Sequence, residues 1–301
     1  MAGILYATVA LANLWDDDEL RQGAGRLVAR LRANVPADDA FDVLSGAAGC
    51  LLVALGALDH LPDRSAGLEL ASACGDHLVR HAVAAGSGIG WVLGADGSTP
   101  LTGFAHGGAG VALALRALAD ATGEAGYGAA ARRAEAWERD NYIPAVGNWR
   151  DLRPPSQRSA ATAEEEDPCT TAWCHGATGV GLGRALSLGY DGDALLPDVH
   201  QAVATALSEG LGRDQSLCHG DGGVLELCRA AGSATGDRAL LDTAHRIAAM
   251  VAGAVLADGP TCGTALAVEI PGLMAGLAGI GYTLLRAAAP HAVPCVLALR
   301  Q

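Results

Sequence analysis

Five segments of this chain share a glycine, two intervening residues, a second glycine and then an apolar run at helical spacing. They are SGAAGCLLVALGAL (45–58), HGGAGVALALRAL (106–118), HGATGVGLGRAL (175–186), HGDGGVLELCRA (219–230) and AGLAGIGYTLLRA (275–287). Such recurrence marks one supersecondary unit used repeatedly, and it restricts the fold more than any local propensity. The opening GILYATVALANL (3–14) fits the pattern from its second glycine onward, so the chain is expected to begin inside a repeat. Between the repeats lie DDELRQGAGRLVARLRANV (17–35), SAGLELASACGDHLVRHAVAAG (65–86), EAGYGAAARRAEAWERDNY (124–142) and RALLDTAHRIAAMVAGAVL (238–256), each apolar along one helical stripe and charged on the other. Helices apolar all round should be buried, and helices with one polar face should cover them. The expectation is an all-α fold with an inner ring of helices inside an outer ring, forming one domain over residues 1–301. The glycines are expected to let inner helices begin close together near the axis, where a β-carbon would clash.

Composition agrees. Half of the 301 residues are hydrophobic but only 4 % are aromatic, so alanine, leucine and glycine carry the core, as suits close helix packing. A formal net charge of −13 offers no basic stripe and argues against nucleic-acid binding. The N-terminus has no basic region or cleavage site of a secretory signal, and the apolar runs fall short of the roughly 18 residues of a membrane span. A cytoplasmic protein is expected, with its eight cysteines serving as thiols or metal ligands rather than as disulfides. GSGIGWVLGADGSTPLTG (86–103) suggests a short hairpin at GADGS, and RPPSQRSAATAEEEDP (153–168) a mobile surface loop.

In a ring, equivalent repeat positions lie side by side on one rim. Immediately before each first glycine stand Ser45, His106, His175, His219 and Ala275, preceded by Leu44, Ala105, Cys174, Cys218 and Met274. Cys174 and Cys218 therefore occupy equivalent places on consecutive repeats, with His219 adjoining. Two thiolates and an imidazole are a zinc ligand set that leaves one position open, as substrate-binding metals require. The plain alternative is buried thiols beside backbone-bonded histidines. His106 shares the register without a cysteine and is an acid/base candidate. Asp42, in FDVLSGAAG, either approaches the rim or caps a helix. His175 either competes with His219 as a ligand or contacts substrate. Cys50 and Cys228 read as core residues, Cys169 as a loop thiol or surrogate ligand, and Cys262 as a residue that could face the centre. A carbohydrate enzyme built on six hairpins would need paired acids, and Asp42 and Asp221 are the acids nearest the motif register.

Taken in order, DVLSGAAG (42–49), LTGFAHGGAGVA (101–112), GNWRDLR (147–153), WCHGATGVGL (173–182), SLCHGDGG (216–223), PGLMAGLAGIGYTLLR (271–286) and VPCVLAL (293–299) resemble the lanthionine synthetase cyclase family. The likeness is closest to the C-terminal cyclase part of bifunctional, class II lanthipeptide synthetases. The resemblance implies an α/α toroid with seven inner helices, of which this chain shows six; the first inner and outer pair, and any dehydratase portion, are expected to be missing. It implies Zn2+ held by Cys174, Cys218 and His219, with His106 and Asp42 handling protons. The implied substrate is a dehydrated ribosomal precursor peptide, supplied by a separate dehydratase. On it, cysteine thiolates add to dehydroalanine or dehydrobutyrine to form lanthionine or methyllanthionine. The alternative is an inactive, zinc-containing peptide-binding scaffold derived from such a cyclase. Two positions depart from the family's stand-alone members: Thr170 stands where they carry arginine, and His175 where many carry tyrosine.

Overall fold

The computed structural model describes residues 1–93, 99–158 and 168–299. The chain divides into two compact units. The first, residues 1–100, 110–137 and 295–301, contains α1 (Ala2–Trp15), α2 (Asp18–Asn34), α3 (Ala47–Gly56), α4 (Arg64–His81) and the antiparallel ribbon of β1 (Val83–Ala85) and β2 (Gly88–Gly90). Helices α5 (Gly108–Thr122) and α6 (Ala125–Asp140) contribute residues to both units. The second unit, residues 101–109 and 138–294, contains the ribbon of β3 (Tyr142–Ile143) and β4 (Asn148–Trp149), followed by α7 (Ala177–Asp191), α8 (Leu196–Glu209), α9 (Asp221–Thr235), α10 (Arg238–Asp258) and α11 (Leu277–Ala288).

Within the first unit α1 packs on α2 and α3 on α4, with α1 also against α3 and α2 against α4. Within the second, α7 packs on α8 and α9 on α10, while α7 meets α9 and α11 meets both α9 and α10. The alternation expected from the repeats is present. Every residue from Ala47 to Ala54 of α3 is buried, as is every residue from Asp221 to Arg229 of α9. The partner helices bury a stripe only: Ala24, Val28 and Leu31 on α2, and Ala244, Ile247 and Val251 on α10. The two ends of the series differ from expectation. Helix α1 buries only Leu5, Val9 and Ala12, and α11 only Gly279, Ile280 and Thr283, although both belong to the all-apolar class by sequence.

The two classes begin differently, for a physical reason. The outer helices α2, α4 and α10 are capped by aspartate: Asp17 accepts from Leu20 N at 3.0 Å, Asp63 from Ser65 N at 2.9 Å and Asp237 from Ala239 N at 2.8 Å, whereas α8 follows Leu195 with no side-chain cap. The inner helices α3, α9 and α11 have glycine at that position and no side-chain cap. Their free amides are taken by the chain just upstream, which folds back over the helix start. Gly49 N donates to Asp42 O at 3.1 Å, Asp221 N to Asp214 O at 2.9 Å and Leu277 N to Ile270 O at 2.9 Å, each seven residues back. This corrects the expected reason for the glycines. A β-carbon at Gly49 would strike the carbonyl oxygen of Val43, and one at Gly279 that of Leu273. The crowding comes from each repeat's own loop, not from a neighbouring helix.

The ribbon of β1 and β2 turns at Gly86 and Ser87, ahead of the hairpin expected at GADGS (94–98), which lies outside the described residues. Most of the expected surface loop, 159–167, also lies outside them. Helix α8 was not among the amphipathic stretches picked out by charge, because its polar face is built mainly from Gln, His and Ser; Pro197 sits in its first turn, where a missing N–H costs nothing. Among the described residues α10 alone is long and apolar enough to cross a membrane by length and composition, and its buried stripe packs on α9.

Candidate functional site

The loops ahead of α7, α9 and α11 are joined edge to edge. Trp173 N donates to Cys218 O at 2.7 Å, and Cys218 N donates to Met274 O at 2.9 Å. Positions aligned by the repeat, Cys218 and Met274, are thus direct neighbours in space. The side chains of Cys174 and Cys218 hydrogen-bond to each other, and both residues are partly exposed with free thiols. The adjacent imidazole is oriented by its backbone partner. His219 Nε2 lies 2.6 Å from Gly263 O. A carbonyl only accepts, so Nε2 carries the proton and Nδ1 keeps a lone pair.

Histidines 106 and 175 complete the group within the second unit. Their rings stack with centroids 5.5 Å apart and planes 23° from parallel. His175 is buried, with Nδ1 3.2 Å from Thr102 O; burial first, then the nearby Arg153 charge, push its pKa down to about 4, so the ring is neutral. The loop carrying His106 is anchored by Glu138, which is fully buried and accepts from Gly103 N at 2.9 Å. Burial raises that carboxyl to about 7 against the opposing pull of Arg184, whose Nη2 lies 3.6 Å away.

Charge is arranged to favour a thiolate. The pair Cys174 and Cys218 yields its first proton below the ordinary thiol value, with Cys174 lowered to about 6. The hydrogen bond from Cys218 is the main cause, opposed by burial and assisted by Arg153, His219 and His106. Loss of the second proton, from Cys218, is pushed well up by the same partnership. Arg153 is held by Asp151 through Nε at 3.0 Å and Nη2 at 2.6 Å, and Asp151 also accepts from Thr170 Oγ1 at 2.8 Å. Burial opposes ionisation of Asp151, but the hydrogen bonds from Arg153 and Thr170, and the charge His175 takes on below about pH 4, hold it at about 2.

Cys174, Cys218, His219, His106 and His175 therefore lie in one compact unit. Asp42 belongs to the other: it is buried, and its Oδ1 accepts from Ser45 N at 2.7 Å and Gly46 N at 3.1 Å, which caps the turn just ahead of α3 rather than the helix itself. Asp221 likewise serves the backbone, accepting from Gly212 N at 2.8 Å. Cys169 sits in a bridge with Arg150, and Cys262 is buried next to the Gly263 carbonyl that holds His219. Cys50 and Cys228 are buried as core residues. Among the described residues no three His, Cys, Asp or Glu side chains are gathered tightly enough to hold a metal ion. The donor chemistry nonetheless suits zinc. One of the two touching thiols ionises below its ordinary value, and an imidazole offers a lone pair while its other nitrogen is tied to a carbonyl, the usual outer support of a ligating histidine.

Two contributors escaped sequence reasoning. Asn148, fully buried, accepts from Ala177 N at 2.9 Å and donates to Thr171 Oγ1 at 3.1 Å, fixing the start of α7 against its loop. The Asp151 and Arg153 pair is the other. Both lie in GNWRDLR, where the only local signal is an acid and a base two residues apart.

Comparison with curated proteins produced no match. Among solved structures, nisin cyclase matches with a TM-score of 0.75 at 18 % identity, covering 99 % of this chain and 78 % of that one. The Lin0763 protein from Listeria innocua matches with a TM-score of 0.59 at 15 % identity, covering 99 % and 82 %. These likenesses bear out the fold class, an all-α α/α toroid. Residues 1–298 match the model of the family described as "Lanthionine synthetase C-like protein". With the match running over nearly its whole length, the chain belongs to the lanthionine synthetase C-like family.

Proposed function

We propose that this protein is a zinc-dependent cyclase that forms lanthionine and methyllanthionine by adding peptide cysteine thiolates to dehydroalanine or dehydrobutyrine in a precursor peptide. Family membership and the fold shared with nisin cyclase support a lanthionine cyclase. The observation that carries the reading is the contact of Cys174 and Cys218 across two loops joined by backbone hydrogen bonds, with His219 tied to Gly263 beside them. Cys174, Cys218 and Nδ1 of His219 would hold the zinc. Bound there, zinc supplies a Lewis-acidic seat at which a peptide thiol ionises near neutral pH, well below its free value of about 8.5.

The chain's own groups do the rest. Half-buried His106 protonates the α-carbon after addition at the β-carbon. His175, neutral and stacked on it, keeps the ring oriented and contacts the peptide. Asp42 is retained as a second proton-handling residue besides its capping contacts. The expected partners are a dehydrated precursor peptide and a separate dehydratase, in the cytoplasm.

The test is incubation of the zinc-loaded protein with a dehydrated, cysteine-containing peptide, followed by thiol alkylation. Ring formation leaves the peptide mass unchanged and removes the alkylatable thiol. Binding with the thiol still alkylatable would instead identify a peptide-binding scaffold.

A further inference from the structure

We propose that Arg153 is a catalytic residue, whose outward guanidinium edge binds the carbonyl oxygen of the dehydro residue and takes up the charge developing there. This rests on the cyclase reading and names the group that serves the electrophile rather than the thiol.

The geometry is that of an oriented donor. Nε and Nη2 of Arg153 are committed to Asp151 at 3.0 and 2.6 Å, which fixes the plane of the guanidinium. Nη1 has no hydrogen-bond partner among the described residues, while the side chain is 21 % exposed and so within reach of a ligand. The anchor is itself immobilised. Asp151 has a fully buried side chain, its amide donates to Pro168 O at 2.7 Å, and its carboxylate accepts from Thr170 Oγ1 at 2.8 Å. Thr170 lies four residues ahead of Cys174 on the same loop, so the chain that positions the guanidinium also positions the thiol. The Arg153 charge also favours the Cys174 thiolate. A further cation on these loops, Arg213, points its Nη2 at the carbonyls of Thr171 and Glu209, 2.9 and 3.1 Å away.

The chemistry needs such a group. A bond forms between the peptide sulfur and the β-carbon, and the alkene electron pair moves onto the α-carbon and its carbonyl oxygen. The proton lost by the thiol is matched by one delivered to the α-carbon, so S–H is added across C=C with no oxidant or reductant. Between the two events the oxygen carries negative charge, which a pre-oriented N–H stabilises most at that moment. Asp151 and Thr170 act as positioning residues.

The experiment compares the unaltered zinc-loaded protein with Arg153→Gln, Arg153→Ala and Thr170→Val. Expected for Arg153→Gln is a kcat lower by roughly 100-fold, the usual cost of one oxyanion donor. Zinc content should stay unchanged, the melting temperature should fall because buried Asp151 loses its partner, and affinity for a peptide carrying alanine in place of dehydroalanine should change far less than kcat. Methylguanidine should restore part of the Arg153→Ala rate where methylamine does not. Thr170→Val keeps the guanidinium but loosens its anchor, and should lower kcat less. If Arg153→Gln fails to fold, guanidine rescue and the Thr170→Val kcat decide. A kcat within twofold of the unaltered protein for Arg153→Gln, or an equal loss of affinity for the alanine peptide, overturns the role. If the unaltered protein forms no thioether at all, the cyclase reading falls and this role falls with it.

Discussion

At the scale of single residues the account turns on carboxylates whose environments differ. Asp151 ionises at about 2 instead of its ordinary 3.8, because hydrogen bonds and charge overcome burial. A depressed acid contributes stability above its unfolded value and loses it as pH falls through the folded one. Asp151→Asn should therefore cost about 2 kcal/mol at pH 7, while the two proteins converge towards pH 2. Urea midpoints at both pH values check this. Asp42 offers a cleaner separation of roles. Asn keeps the oxygen that accepts from Ser45 N and Gly46 N, whereas Ala removes it. Asp42→Asn should leave stability within about 0.5 kcal/mol, and Asp42→Ala should lose about 1 kcal/mol as a lost cap. If Asp42 also handles protons, Asp42→Asn loses cyclisation despite its intact fold; a fully active Asp42→Asn reduces it to a cap. The meeting of Cys174 with Cys218 was legible in the sequence because the repeat supplies the register. Arg153 was not, because it lies in an irregular segment with no periodicity to align it with the thiols.

At the scale of elements, the Gly-x-x-Gly pattern located the inner helices well but not the reason for the glycines. Spacing reveals that a β-carbon is unwelcome; only coordinates show that the obstacle is a carbonyl of the same repeat's loop. Helix α11 tests this within one element. Gly279 faces the Leu273 carbonyl, whereas Gly281 has open space where a β-carbon would go. Gly279→Ala should destabilise by about 1–3 kcal/mol, and Gly281→Ala should stabilise by up to about 1 kcal/mol. Equal effects on the denaturation midpoint would refute the fold-back explanation. The partial burial of α1 and α11 was also beyond sequence reading, since an apolar helix looks alike whether it is covered on every side or on one.

At the scale of the whole molecule, the repeats announced an all-helical chain of inner and outer helices, and the match to nisin cyclase agrees with that. The two compact units were invisible in the sequence, because the repeat pattern runs through both without a change in composition. The site loops are joined by their own backbone: Trp173 to Cys218, Cys218 to Met274, and His219 to Gly263. Chelation should therefore leave the helices folded, with faster amide hydrogen exchange confined to the segments around 171–176 and 214–220. Global unfolding on metal removal would contradict that view. The central claim is that Cys174, Cys218 and His219 share one zinc ion, and zinc X-ray absorption on the purified protein reaches it most directly. Two sulfur ligands are expected at about 2.3 Å with nitrogen near 2.0 Å, and a third sulfur once a cysteine peptide is added. A zinc ion surrounded only by nitrogen and oxygen, or an identical spectrum in Cys174→Ala and Cys218→Ala, would contradict it.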